Sequence, residues 1–170
     1  MTQKQVDALN GIIANIPAAK QNTYREIGEF TASLGYMPTR KGSKGQYVIF
    51  NKRFSADANR TLLKICAYPD RPNFGIEMRY FANTPPYTPL FQKPIEERVL
   101  VYGWDDTCTN CGRCDGTQIY HFTHPNGEMK NQCGYTSLYC LGQVEYENVP
   151  EIKDALKRQD DFYIECYGIA

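Results

Sequence analysis

Apolar residues recur at helical spacing over residues 2–16, where Val6, Leu9, Ile12, Ile13 and Ile16 fall on one stripe. Thr2 followed three positions later by Gln5 gives a capping-box start, and Pro17 gives the stop. A second stripe of Tyr24, Ile27, Phe30 and Leu34 predicts a helix over residues 23–34. Thr23 with Glu26 repeats the capping pattern, and Gly35 stands where a helix hands over to a left-handed residue. The period then changes. After a basic, glycine-containing loop, MPTRKGSKGQ, three short segments have strand character: QYVIFNKRF (46–54), RTLLKICAY (60–68) and NFGIEMRYF (73–81). In the third, Phe74, Ile76, Met78 and Tyr80 face one side while Glu77 and Arg79 face the other, which predicts a sheet with one wet face.

The links SADAN and PDRP are short and turn-rich, so an antiparallel meander is the expected connection. TPPYTP leads out of the sheet. Pro94 suits the first turn of a helix through Ile95, Val99 and Leu100, with a strand over RVLVYG as the alternative. Residues 148–160 return to helix, with Asn148 as cap, Pro150 in the first turn and a stripe of Ile152, Ala155 and Leu156. The pattern predicts an α+β fold: an antiparallel β-meander flanked by helices, one domain over residues 1–170. Residues 103–142 break the pattern and read as a Cys-rich insert.

Charge narrows the function classes. Nineteen Lys and Arg balance nineteen Asp and Glu, so the net charge is zero, which disfavours a dedicated nucleic-acid binder or a charge-driven membrane protein. No apolar run approaches the roughly 20 residues of a membrane span, and MTQKQVDALNG lacks the apolar stretch of a secretory signal. A cytoplasmic protein is expected, with no membrane and no nucleic-acid partner.

Cysteine carries the chemistry. Cys66 and Cys166 stand alone, while Cys108, Cys111, Cys114, Cys133 and Cys140 fall within 33 residues. Seven is an odd number and C-x2-C spacing is too tight for routine bridging, so metal ligation or redox chemistry is preferred to a disulfide scaffold. CTNCGRC lets three sulfurs converge on one ion, and a cation beside them stabilises their thiolate forms. The turn THPNGE, with its Asn126-Gly127 signal, predicts a hairpin of TQIYHF and EMKNQC that carries Cys133 back toward the knuckle.

Knuckle plus hairpin resembles a zinc-ribbon module, although the second C-x2-C pair is missing because Cys140 follows Cys133 at a spacing of x6. The expected ligands are Cys108, Cys111, Cys114 and Cys133, holding Zn2+ in a closed, structural site. Cys140, His121 and His124 are reserves. Cys140 reads as a small core residue, and His124, before a proline in a turn, as solvent-exposed. A four-iron cluster is the alternative, though the C-x3-C-P ending of bacterial ferredoxin runs is absent after Cys114.

Other signals are weaker. KGSKG lacks the strand-then-helix context of a phosphate loop; Arg40, Lys41, Lys44, Lys52 and Arg53 are left as a candidate anion-attracting rim. The aromatics from Tyr80 to Trp104 read first as core packing and second as the wall of a ligand pocket, whose candidate residues are Glu77, Arg79, Tyr80, Tyr87 and Trp104. Catalysis has little support: no G-x-S-x-G occurs, and Asp105 and Asp106 read as neighbours of the metal site rather than as an acid–base pair.

The order of helix, helix, GYMP, meander, proline exit and helix resembles small bacterial proteins of the YdhG-like type. GYMPTRKGSKGQYVIF carries that likeness, which spans residues 22–101. It implies a helix-flanked α+β sheet and assigns no functional residue. The expectation is a non-catalytic, ligand- or partner-binding protein with one structural zinc, against the alternative of a redox protein using an iron–sulfur cluster or reactive thiols. The partner is an unidentified small molecule or protein.

Overall fold

A computed structural model of the chain describes residues 1–42, 46–68, 73–83, 87–101, 108–109, 111–114, 116–135 and 137–168. The fold is α+β. Helix α1 (Gln3–Ile13) buries Leu9, Ile12 and Ile13, and the Gln5 side chain accepts the Thr2 N–H at 2.7 Å at its start. Helix α2 (Ala18–Ser33) begins five residues before the expected Thr23, because Pro17 fixes the entering φ and the good helix formers Ala18, Ala19 and Lys20 follow at once. Thr23 is therefore an interior residue, buried beside Tyr24 and Ile27. Gly35 closes the helix at φ 91°, as expected of a residue without Cβ.

Five antiparallel strands form the main sheet in the order β1-β2-β3-β4-β7: β1 (Met37–Lys41), β2 (Tyr47–Arg53), β3 (Asn59–Ala67), β4 (Phe74–Met78) and β7 (Tyr139–Gly142). The meander is the one read from the sequence, with a strand added at each edge. MPTRK, expected as loop, is strand β1, paired Met37↔Asn51 through Lys41↔Tyr47. Its proline and its cations disguise it, and an edge is where a sheet tolerates both. Strand β7 lies against β4 at Glu77↔Cys140 and Met78↔Tyr139. Gly75 permits that approach, since a Cβ there would meet the Gly142 carbonyl oxygen at 2.5 Å.

Strands β5 (Ile119–Thr123) and β6 (Met129–Cys133) make the separate hairpin predicted around Asn126-Gly127. Helix α3 (Pro89–Glu96) starts at the Thr88 cap, so Pro94 lies inside it rather than in its first turn. Pro94 offers no N–H to the carbonyl of Leu90, and a single wide π turn over Glu97–Val101 follows. Helix α4 (Val149–Tyr167) extends beyond the expected end at 160 and absorbs the closing aromatics, with Tyr163 fully buried.

One core joins these parts. Val48, Phe50, Leu63, Ile65, Ile76 and Met78 are fully buried between sheet and helices. The Lys52 ammonium ties β2 to α4 through Asp160 (2.8 Å) and caps α2 at the Leu34 carbonyl (2.9 Å). Arg53 donates to the carbonyls of Ser55 and Ala56. Lys52 is thus engaged inside the fold and is not available to an anion rim, while Arg53 stays exposed on the β2–β3 turn. No helix among the described residues is long and apolar enough to cross a membrane.

Candidate functional site

The hairpin turns Tyr120, Phe122 and Gln132 inward and Ile119, His121, Asn131 and Cys133 outward. Gly134 N–H donates to the Gln118 carbonyl and His124 N–H to that of Glu128, each at 2.8 Å. Those bonded pairs make Ile119↔Cys133 and His121↔Asn131 the non-hydrogen-bonded pairs, whose backbone groups point away from the partner strand. The Asn131 carbonyl uses that freedom to accept the Cys108 N–H at 2.8 Å. Cys108 is thereby laid along the outer edge of β6, two residues from Cys133.

The other end of the knuckle is also tied. Thr117 donates to the Cys114 carbonyl through its N–H (2.9 Å) and its hydroxyl (2.6 Å), one residue before Gln118 receives Gly134. Gly112 and Gly116 take φ 76° and 72°, the left-handed turns that fold the knuckle back. Cys108, Cys114 and Cys133 are half-buried and Cys111 is exposed. No disulfide joins any of the seven cysteines. Among the described residues no three His, Cys, Asp or Glu side chains converge on one point. The backbone bonds thus set Cys108 beside β6 and tie Cys114 to Thr117, while no three of the predicted ligand side chains gather at one point.

The reserves sit differently from expectation. Cys140 is exposed on β7, because strand alternation buries Tyr139 and turns Cys140 outward. His124 is half-buried rather than fully exposed: its ring packs 4.6 Å from that of Phe122 and its Nε2 is sealed without a hydrogen-bond partner among the described residues. His121 pairs through Nδ1 with the Asn131 side chain at 3.0 Å.

The four predicted pocket residues that are described, Glu77, Arg79, Tyr80 and Tyr87, sit in different surroundings. Tyr80 is fully buried, its hydroxyl donating to the Phe91 carbonyl at 2.8 Å, with Tyr87, Tyr120 and Phe91 around its ring. That is core packing. Arg79 is only 8 % exposed and donates to the carbonyls of Gly134 (3.1 Å) and Tyr135 (2.6 Å). It faces no solvent, because strand β4 ends at Met78 and alternation stops with it. Tyr87 borders a separate, smaller cleft with Glu151 and Arg158. Trp104, with Lys44, Tyr102, Asp105 and Asp106, lies outside the described residues.

Glu77 alone opens onto a sizeable groove. Its carboxylate pairs with Lys64 at 2.8 Å across the β3–β4 ladder. The groove, about 620 Å³, runs between β7 and α3, lined by Leu90, Lys93, Pro94, Arg98, Leu138 and Cys140 besides Glu77. Sequence reading missed it, since it arises only when β7 returns to β4 across some sixty residues. The thiols nearby are not activated. Burial, with Glu77 next in effect, pushes Cys66 up to about 12. Burial also raises Cys140 and Cys166. Nucleophilic cysteines require the opposite shift.

Comparison of the chain with protein-family models, with curated proteins and with solved structures finds no match in any of the three.

Proposed function

We propose that this is a non-catalytic cytosolic binding protein in which one zinc ion, held by Cys108, Cys111, Cys114 and Cys133, staples the β5–β6 hairpin. The observation that supports the reading is the Cys108 N–H to Asn131 carbonyl bond, which sets the first of the three knuckle cysteines beside the strand that bears Cys133. A shift of side chains and of the knuckle turn onto an arriving ion is what coupled metal binding and folding requires. Four thiolates close the coordination shell and leave no position for a reacting water. The raised Cys66, Cys140 and Cys166 argue against catalysis by those three thiols. The groove beside Glu77 supports the binding role.

Elemental analysis of protein purified anaerobically without chelator tests this. About one zinc per chain and no visible absorbance are expected. Iron with broad visible absorbance would establish the cluster alternative instead, and metal-free protein would end the reading. Cys111→Ser should abolish metal binding, whereas Cys140→Ser should retain it.

A further inference from the structure

Arg79 is the one buried arginine among the described residues. A guanidinium does not shed its proton, so burial leaves a permanent charge to be compensated. Its near neighbour is Arg60, and Tyr135 joins the two: the Tyr135 carbonyl accepts from Arg79 at 2.6 Å, and the Tyr135 ring lies 5.3 Å from the Arg60 guanidinium. Arg60 also stacks 4.4 Å from the Tyr167 ring. Neither arginine pairs with a carboxylate among the described residues. The one buried carboxylate among them, Asp160, is held by Lys52 at 2.8 Å, and Lys52 is the cross-strand partner of Arg60. Three cations therefore share one carboxylate at this end of the sheet.

Donors are left over as well as charge. Arg79 spends Nη1 on the carbonyls of Gly134 and Tyr135, and its Nε is sealed without a partner. Arg60 gives Nη1 to the Asn59 carbonyl at 3.3 Å, and its Nε is sealed in the same way. The Tyr163 phenol faces both: burial raises it, while Arg79 and then Arg60 draw it back. Two carbonyl dipoles offset part of the Arg79 charge, but Arg60 has little beyond aromatic faces. From these leftovers we infer that Arg60 and Arg79 bind a small oxyanion, a phosphate or a carboxylate, beside α4. Water would satisfy the donors without meeting the charge, whereas a guanidinium fork matches paired oxygens in both respects. Arg60, Tyr135 and Tyr167 are half-buried and border the approach from solvent, with Arg79 and Tyr163 inside. The inference uses neither the cysteines nor the groove beside Glu77, and so stands apart from the zinc reading.

The test titrates the full chain with inorganic phosphate and, in parallel, with acetate, each at constant ionic strength against chloride. The Nε–Hε resonances of Arg60 and Arg79 should move together along one saturable curve, and the thermal midpoint should rise with it. The anion that binds more tightly names the class. Arg60→Gln should abolish the response. Arg60→Lys keeps the charge without the fork and should weaken binding, which guards against a fold defect in the first variant. Arg79 is left in place because its carbonyl bonds hold the segment after β6. Arg53→Gln, at an exposed arginine on the β2–β3 turn, should leave the response unchanged. The inference is overturned if neither anion moves the resonances, if one arginine responds without the other, if Arg60→Lys binds as the parent does, or if Arg53→Gln weakens binding as much as Arg60→Gln.

Discussion

Three positions in and just after β4 should respond to truncation in the order Ile76, Arg79, Glu77. Ile76 is fully buried and pairs with Ile65 inside the core, so Ile76→Ala leaves a cavity costing about 2–5 kcal/mol. Glu77→Ala removes one ion pair whose side chains remain 27 % and 22 % exposed. Lys64 keeps its place over the Tyr47 ring at 4.7 Å, so no cation is stranded and the cost is about 1 kcal/mol or less. Arg79 follows the opposite logic to its apparent place on the wet face. Arg79→Ala removes two charge-assisted bonds, each of about 1.5–3 kcal/mol, and strands the carbonyls of Gly134 and Tyr135. Relief of the buried guanidinium's desolvation offsets part of that, leaving about 3 kcal/mol. Urea denaturation of the three variants, read as midpoints at constant m, measures all three. An Arg79→Ala variant no less stable than Glu77→Ala would show that Arg79 does not seal the segment between β6 and β7. A severe Glu77→Ala beside a mild Ile76→Ala would reverse the register.

Other outcomes follow from the same structure. Gly75→Ala puts a Cβ 2.5 Å from the Gly142 carbonyl oxygen, where ordinary contact needs about 3.5 Å, so it should cost about 1–3 kcal/mol and speed amide exchange at residues 139–142. Stability should be fullest below about pH 8 and fall from about pH 9 to 12. Burial pushes Cys66, Tyr24 and Tyr87 up to about 12, so the unfolded chain releases those protons first. A phenolate titration in which all thirteen tyrosines ionise as free phenols before unfolding would contradict this. If the knuckle and Cys133 hold zinc as proposed, chelation should speed exchange in β5, β6 and β7 while leaving β2 protected; equal loosening of β2 would mean such a metal does not act through the hairpin.

The strand pattern was legible where alternation is strong: the three central strands and the Asn126-Gly127 hairpin lie where their apolar positions put them. The edges were not legible. Met37–Lys41 is polar because an edge needs little burial, and Tyr139–Gly142 is too short for a period to emerge. Arg79 misled for a related reason, since alternation assigns faces only while the strand lasts, and β4 stops one residue earlier. The cysteine spacing pointed to one neighbourhood, and the Cys108–Asn131 bond follows from the non-hydrogen-bonded register of β6. The groove was invisible because Glu77, Lys93 and Cys140 become neighbours only through long-range pairing. Cys140 looked like core because cysteine usually is, and only register decides which side of a strand is wet.

The hairpin also has a physical need for a staple. A two-stranded hairpin is marginal alone, and β5–β6 adds no strand to the main sheet. Its inward face offers two fully packed aromatics, Tyr120 and Phe122, but also Gln132, which is fully buried and finds no partner among the described residues. Gln118, equally buried, satisfies its amide nitrogen on the Tyr167 hydroxyl while its oxygen goes without. Each sealed polar atom without a partner costs about 1–3 kcal/mol, comparable to what one buried aromatic contributes. Tyr120 packs against Tyr80, Phe81 and Tyr139, so the hairpin must nonetheless stay docked for the core beneath to remain closed. Arg79 holds one end of it from within. A metal held by the knuckle and Cys133 would hold the same end from outside, three residues before Thr136 and six before β7. Such a restraint at Cys133 would also be a restraint on the strand that borders the groove, because only five residues separate Cys133 from Tyr139.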